Sequence, residues 1–339
     1  MRVLFLGAGH PSSTSRHRAE AFRRLGHSVR HLDTIAEFGY RLAGFAGRLH
    51  YHTGYRFLRG EVFRWVQDRV LSQNEYDLCW VDGGEMLDPQ SVYYLKDRCG
   101  RVILFNHDDP TGPRDWRRFH TLREAISSYD ICAVVRPVNV HEFKAYGARN
   151  VVCVFRTYDE VAHAPPADAS PVPAELQSDV CFIGANYKGE NRDIFLGHLI
   201  DRGINIAIWG DHWERSPIWK KIAPHRRGGS LFGKAYVDAI RGAKVCIGFL
   251  ARRNRDEHTT RSMEIPFAGG LLCAQRTSEH LSLYEENVEA SFWSDWEECA
   301  KNCVRLIADE KLRKRIRLAG MERVRRNRVG NEALIEQLL

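Results

Sequence analysis

"RVLFLGAGHPSSTSRHRAEAFRRLGHSVRHLD", residues 2–33, opens with an apolar run ending in glycines, continues through hydroxyl residues and helix formers to Gly26, and finishes on a second run of alternating character. The first run reads as a strand. Ser12 to Ser15 offer caps to a helix that Gly26 closes, and "HSVRHLD" reads as the next strand. A strand, a helix and a second strand in this order begin a parallel, doubly wound sheet. Gly7 and Gly9 fit the first two positions of G-x-G-x-x-G, and Asp33 ends the second strand near where a ribose-binding acid would fall. Ser12 occupies the third glycine's place and Pro11 removes an amide donor. The loop around Gly9 is therefore expected to let backbone approach a ligand or to pack the helix, rather than to hold a dinucleotide.

Outward from this opening the alternation persists. A helical, aromatic-rich stretch covers Phe38 to Val70. Strand candidates follow at "YDLCWVDG" (76–83), "RVILFNHDD" (101–109), "DICAVV" (130–135) and "VVCVF" (151–155), with helical stretches at 89–98, 114–128 and 138–146. The run "AHAPPADASPVPAEL" (162–176) then interrupts with four prolines, a linker signal. Beyond it "DVCFIGAN", "NIAIWG", "KVCIGFL" and "LLCAQ" read as strands, interleaved with helices at "NRDIFLGHLIDRG", "KAYVDAIRGA", "SMEIPFAGG" and "DWEECAKNCVRLIAD". The expected fold class is α/β: two Rossmann-like doubly wound domains, over 1–165 and 179–325, facing across a cleft. A linker at 166–178 joins them and a tail helix at 326–339 follows. Ligands of such sheets bind beyond the carboxyl ends of the strands, so the informative residues are those that follow strands.

The totals set bounds. At 339 residues the chain is long enough for two domains. With 44% hydrophobic and 27% charged residues and no apolar run near the ~18 needed to span a bilayer, a soluble protein is expected. The opening turns polar too early for a signal peptide, so a cytoplasmic location is expected. Nine cysteines without any C-x-x-C read as buried free thiols. Cys299 and Cys303 share a helix face but lack a neighbouring ligand in sequence, and no metal site is expected. The formal charge of +7 is concentrated: between Arg2 and Arg69 stand twelve arginines, no lysine and five acids. A second basic run closes the chain. Such patches suit phosphate-bearing ligands, an anionic membrane face or nucleic acid.

"NHDDPTGP" places His107, Asp108 and Asp109 directly after a strand, as acid-base or sugar-hydroxyl partners or as a simple turn. "FIGANYKGENR" offers Gly184, Asn186, Lys188 and Arg192 after another, with Lys188 suited to a phosphate. "LARRNRDEHTTRSMEIPFAGG" (250–270) sets Arg252, Arg253, Arg255 and Arg261 around one later acid, Glu264. Arginines fork onto phosphate oxygens while a carboxylate accepts hydrogen bonds from a diol, which together suggest a nucleoside diphosphate ligand.

The stretch from Tyr236 to Val324 resembles the C-terminal domain of GT-B glycosyltransferases, in particular the CgeB-like (spore maturation protein) group. "FIGANYKGENRDIF" and "NHDDPTG" resemble that group's less specific motifs. The resemblance implies that Glu264, in R-x-x-E-x-x-x-x-G, contacts the ribose of a nucleotide-sugar donor, with Arg261 beside it. Asp256 stands where related transferases carry a second glutamate, and Thr277, Ser278 and Glu279 stand where relatives offer amides to the diphosphate. It further implies a metal-independent transferase without cofactor. Its N-terminal domain would take the acceptor and its C-terminal domain the donor. Arg261 and Lys188 would neutralise the leaving group, and Asp108, or else His107, would act as base. The acceptor is expected to be anionic or lipid-linked, with peripheral contact of the basic N-terminal region at the inner membrane face and no nucleic-acid partner. Two other outcomes remain open at this point: a nucleotide-sugar epimerase on the same scaffold, and a catalytically silent binding module.

Overall fold

The computed structural model describes residues 1–71, 75–168 and 170–339. The chain divides into two units: Met1–Phe155 with Arg253–Arg255 and Ile335–Leu339, and Arg156–Arg252 with Asp256–Leu334.

In unit 1 six strands, β1 (Arg2–Gly7), β2 (Ser28–Asp33), β3 (Leu78–Asp82), β4 (Val102–Asn106), β5 (Ile131–Val134) and β6 (Val151–Cys153), form one sheet in the order β2-β1-β3-β4-β5-β6. Every pairing is parallel. β1, β3 and β4 are buried nearly end to end, as expected of strands covered on both faces by crossover helices. The opening helix runs Thr14–Arg24, and the Ser13 hydroxyl accepts from the Arg16 amide at 3.0 Å to cap it. Phe22 on that helix meets Trp80 of β3 edge to face at 5.2 Å. Strand order reverses between β1 and β3, which makes their carboxyl ends the natural ligand crevice of this unit.

Unit 2 holds β7 (Ser178–Ile183), β8 (Ile206–Trp209), β9 (Arg226–Gly228), β10 (Ala243–Gly248), β11 (Leu272–Gln275) and β12 (Ser291–Trp293), in the order β12-β11-β10-β7-β8-β9, again all parallel. Counted within the unit this is the order 3-2-1-4-5-6, with its reversal between β7 and β10. The doubly wound α/β class read from the sequence is thus present twice. β9 and β12, three residues each, had no counterpart in the sequence reading. Of the helix expected at 114–128, only His120–Ala125 and a following 3-10 turn form, because Pro113 and the polar run after it build turns instead.

The proline-rich residues 166–178, apart from Ala169, which lies outside the described residues, fall inside unit 2. They are held by arginines that satisfy extended backbone: Arg241 donates to the Ser170 carbonyl at 3.0 Å, and Arg227 to those of Glu175 and Gln177 at 3.0 Å each. A final helix spans Asn331–Leu338, and its last residues belong to unit 1. Among the described residues no helix is long and apolar enough to cross a membrane.

Candidate functional site

In unit 2 the helix Thr260–Phe267 follows β10. Thr259 and Ser262 form a reciprocal capping box at its start, which fixes the helix at the sheet's switch point. Its end explains the small residues: Gly269 takes φ +83°, and a side chain on Gly270 would strike Ile240 and Ile265. Glu264 sits one turn inside this helix and is 2% exposed. Its Oε2 accepts from the Tyr236 hydroxyl at 2.6 Å and from Arg261, while Oε1 lies 3.6 Å from His163 Nε2. Burial alone would raise this carboxyl's pKa, but the Arg261 charge, His163 and the two hydrogen bonds outweigh it, and the group stays below the usual carboxylate range. Burial pushes the Tyr236 hydroxyl well up, so it serves as a donor.

Arg261 bridges this acid to the end of β7. Its Nε donates to the Ile183 carbonyl at 3.3 Å, its guanidinium lies 4.7 Å from the Tyr236 ring centre, and its side chain remains 33% exposed. Gly184 and Asn186 come next along the chain, in the loop after β7. The Gly184 carbonyl accepts from the buried Trp213 indole at 3.0 Å, and the Asn186 amide donates to the Asp211 carbonyl at 3.0 Å. Lys188 stands exposed on the following turn. Trp209 and Trp213 are core residues, 3% and 0% exposed.

The arginines of 252–261 part company. Arg255, with φ +54°, pairs with Asp109 at 2.6 Å and Glu142 at 2.8 Å within unit 1. These Arg255 hydrogen bonds hold Glu142 down at about 2. Asp109 is thereby fully engaged, since Asn139 also donates to it at 2.9 Å. Asp256 is buried and pairs with Arg156 at 3.3 Å. Thr277 caps the short helix Ser278–Leu283 and donates to the Glu257 carbonyl at 2.6 Å; Ser278 donates to the Glu257 carboxylate, and Glu279 meets His258. These three are engaged with the preceding loop.

Unit 1 carries a cavity of about 190 Å³ at the carboxyl ends of β1, β3 and β4. His107 and Asp108 line it together with Asp82, Glu85 and Arg118. Arg118 pairs with Glu85 at 2.6 Å and lies 3.9 Å from Asp108, and His107 stands 4.0 Å from both Asp82 and Asp108. Burial pushes the Glu85 carboxyl up, against the pull of Arg118. The two carboxylates in turn raise Arg118, against its own burial. Gly9 belongs to this unit, and its missing side chain accommodates the Asp33 carboxylate, which caps the next helix through the Ile35 and Ala36 amides. Asp33 is a cap here.

Four members were not singled out from sequence: Tyr236, His163, Asp82 and Arg118. Only the "RDWRRFH" charge run hinted at the last. Cys273 joins Cys299 and Cys303, their sulfurs within 4.8 Å of one another and all buried, a cluster that sequence spacing hid. They fill the core as small apolar groups.

Residues 192–339 match the family described as Glycosyl transferase-like. The fold resembles sucrose-phosphate synthase from Thermosynechococcus elongatus, with 13% identity over 100% of this chain and 97% of that one and a TM-score of 0.70. It also resembles Anabaena HepE in complex with UDP, at 13% identity over 100% and 98% with a TM-score of 0.65. α,α-Trehalose 6-phosphate synthase from Burkholderia multivorans is similar at 11% identity over 99% and 95%, with a TM-score of 0.66. No curated protein sequence matches. The chain therefore has the two-unit GT-B fold, and its residues 192–339 match a glycosyl transferase-like family.

Proposed function

We propose that the chain transfers a sugar from a nucleoside diphosphate sugar, bound by unit 2, to a hydroxyl acceptor bound by unit 1, without metal or cofactor, as a member of the CgeB-like group. The observation that carries this reading is the Glu264 carboxylate held ionised beside Arg261 at the reversal of the second sheet, within the matched family region. Similar structures hold UDP and UDP-glucose, which supports a nucleotide-sugar donor.

In this reading Glu264 accepts hydrogen bonds from the ribose diol. Arg261 and Lys188 face the diphosphate, with Gly184, Asn186 and the Thr277–Glu279 turn around it. When the bond from the anomeric carbon to the diphosphate breaks, charge develops on the leaving oxygens, and fixed cations there lower the barrier. The acceptor hydroxyl passes its proton to Asp108, with His107 as the second choice. Gly9, in the loop of unit 1 that closes on Asp33, counts among the nucleotide-sugar-binding residues.

Calorimetry with UDP-glucose tests the donor site. Glu264→Gln keeps the shape and removes the charge, and at least a tenfold loss of affinity is expected; equal affinity in both proteins rejects the assignment. An epimerised nucleotide sugar in the same mixture would mark the epimerase instead, and binding without any turnover the silent module.

The reading extends to the surface of unit 1, where Tyr40, Phe45, Leu49 and Phe57 are exposed among Arg41, Arg48 and Arg56. Aromatic and basic side chains in one patch suit the interface of an anionic bilayer.

A further inference from the structure

The cavity of unit 1 also carries chemistry that bears on the acceptor. One wall is apolar, made by Leu6, Ile35, Phe38 and Val62. The rest of the lining includes acids. Asp82 is balanced by the buried Arg18 at 3.5 Å, whereas Glu85 and Asp108 share the single guanidinium of Arg118. Arg118 thus already faces both acids, and His107 stands 4.0 Å from Asp82 and from Asp108.

From this arrangement, and resting on the transfer reading above, we propose that the acceptor is an uncharged, ring-sized alcohol with an apolar face, and not a phosphorylated sugar. Two features of the cavity select it. A phosphate dianion entering here would meet two carboxylates and compete for a guanidinium that both already hold, so like charges disfavour it. A hydroxyl instead finds acceptors in Asp108 and Glu85, while Phe38 and Val62 take up the apolar face. The size agrees: a cavity of about 150 Å³ is enough for benzene, and this one offers about 190 Å³.

The test uses the full chain and saturation-transfer NMR, with phenyl β-D-glucoside and glucose 6-phosphate as probes. Phenyl glucoside is expected to bind, and glucose 6-phosphate to give no transfer up to tenfold higher concentration. Ile35→Asp places a charge on the apolar wall at a residue 44% exposed, in the first turn of a helix, where a carboxylate is welcome. It is expected to keep the melting temperature and weaken the glucoside at least tenfold. Ile35→Ala, as a second variant, should weaken it less. Tighter binding of the phosphorylated sugar, no binding of the glucoside, or a glucoside affinity indifferent to both variants would overturn the proposal. UDP release from UDP-glucose plus phenyl glucoside is read separately. Glucoside binding in the cavity without UDP release would count against the transfer reading while leaving the cavity's selection of an uncharged, ring-sized alcohol intact.

Discussion

Glu264 is the residue on which the proposed donor site depends, and its surroundings set two expectations. A carboxyl whose pKa is lowered by folding contributes stability that is complete above the ordinary value of about 4.3 and lost as the pH falls through its depressed folded value. The gap in unfolding midpoint between wild type and Glu264→Gln should therefore be full at neutral pH and close below about pH 4. A gap that widens in acid would show the carboxyl held neutral instead. The second expectation concerns His163, whose ring stands against Oε1, the oxygen that Tyr236 and Arg261 leave to it. A ribose diol reaching that oxygen must displace the ring, and a site closed part of the time binds in proportion to its open fraction. His163→Ala is expected to tighten UDP-glucose several-fold by calorimetry; weaker binding would make His163 a donor contact. The acid and Arg261 were legible because both lie in one short motif. Tyr236 and His163 were not, since one comes from a separate amphipathic helix and the other from a proline-rich stretch whose composition signals only a break.

Strands and helices were read more completely than their tips. Apolar runs such as "VILFN" and "VCFI" are long enough to carry a pattern, whereas β9 and β12 are three residues each and owe their pairing to a neighbour already in place. The boundary between units escaped as well, because four prolines look like a free linker until Arg227 and Arg241 bind the nearby carbonyls of Glu175, Gln177 and Ser170. The proposed function rests at this level on the loops after strands, and Gly210 is a tight joint among them. It has φ +137°, and a side chain there would strike the Gly184 carbonyl, the same oxygen that receives the Trp213 indole. Gly210→Ala should cost on the order of 1–3 kcal/mol in urea unfolding, from backbone strain at a position few side chains adopt. The shift should pass into the Gly184–Asn186 loop and weaken UDP-glucose in the same protein. A stable variant with unchanged affinity would remove that loop from the donor site.

Over the whole chain the charge is uneven in a way the folded units only partly compensate. Seven positive charges in excess arise between Arg2 and Arg69. Several of these arginines find acids on folding, as Arg16 with Glu20 at 2.6 Å and Arg69 with Glu37 at 3.6 Å. Arg48 and Arg56 have no acidic partner among the described residues, and they flank Phe45, 83% exposed, and Phe57, 67% exposed. A helix that leaves such a residue in water gains nothing from it inside the unit, whereas a bilayer interface covers the ring and attracts both cations. Each basic residue near an anionic surface contributes about 1 kcal/mol, so Arg48→Ala with Arg56→Ala should cost about 2 kcal/mol, roughly thirtyfold in partitioning. Sedimentation with vesicles of phosphatidylcholine, alone or mixed with phosphatidylglycerol, reads this directly. Wild type should pellet only with the mixed vesicles and be released as salt rises from about 0.1 to 1 M, where screening shortens from about 10 to 3 Å. Phe45→Ser should weaken the same binding without changing its salt dependence, since it removes apolar area and no charge. Equal pelleting with both lipids, or indifference to the arginine pair, would leave the patch without a membrane role and the acceptor to be met in solution.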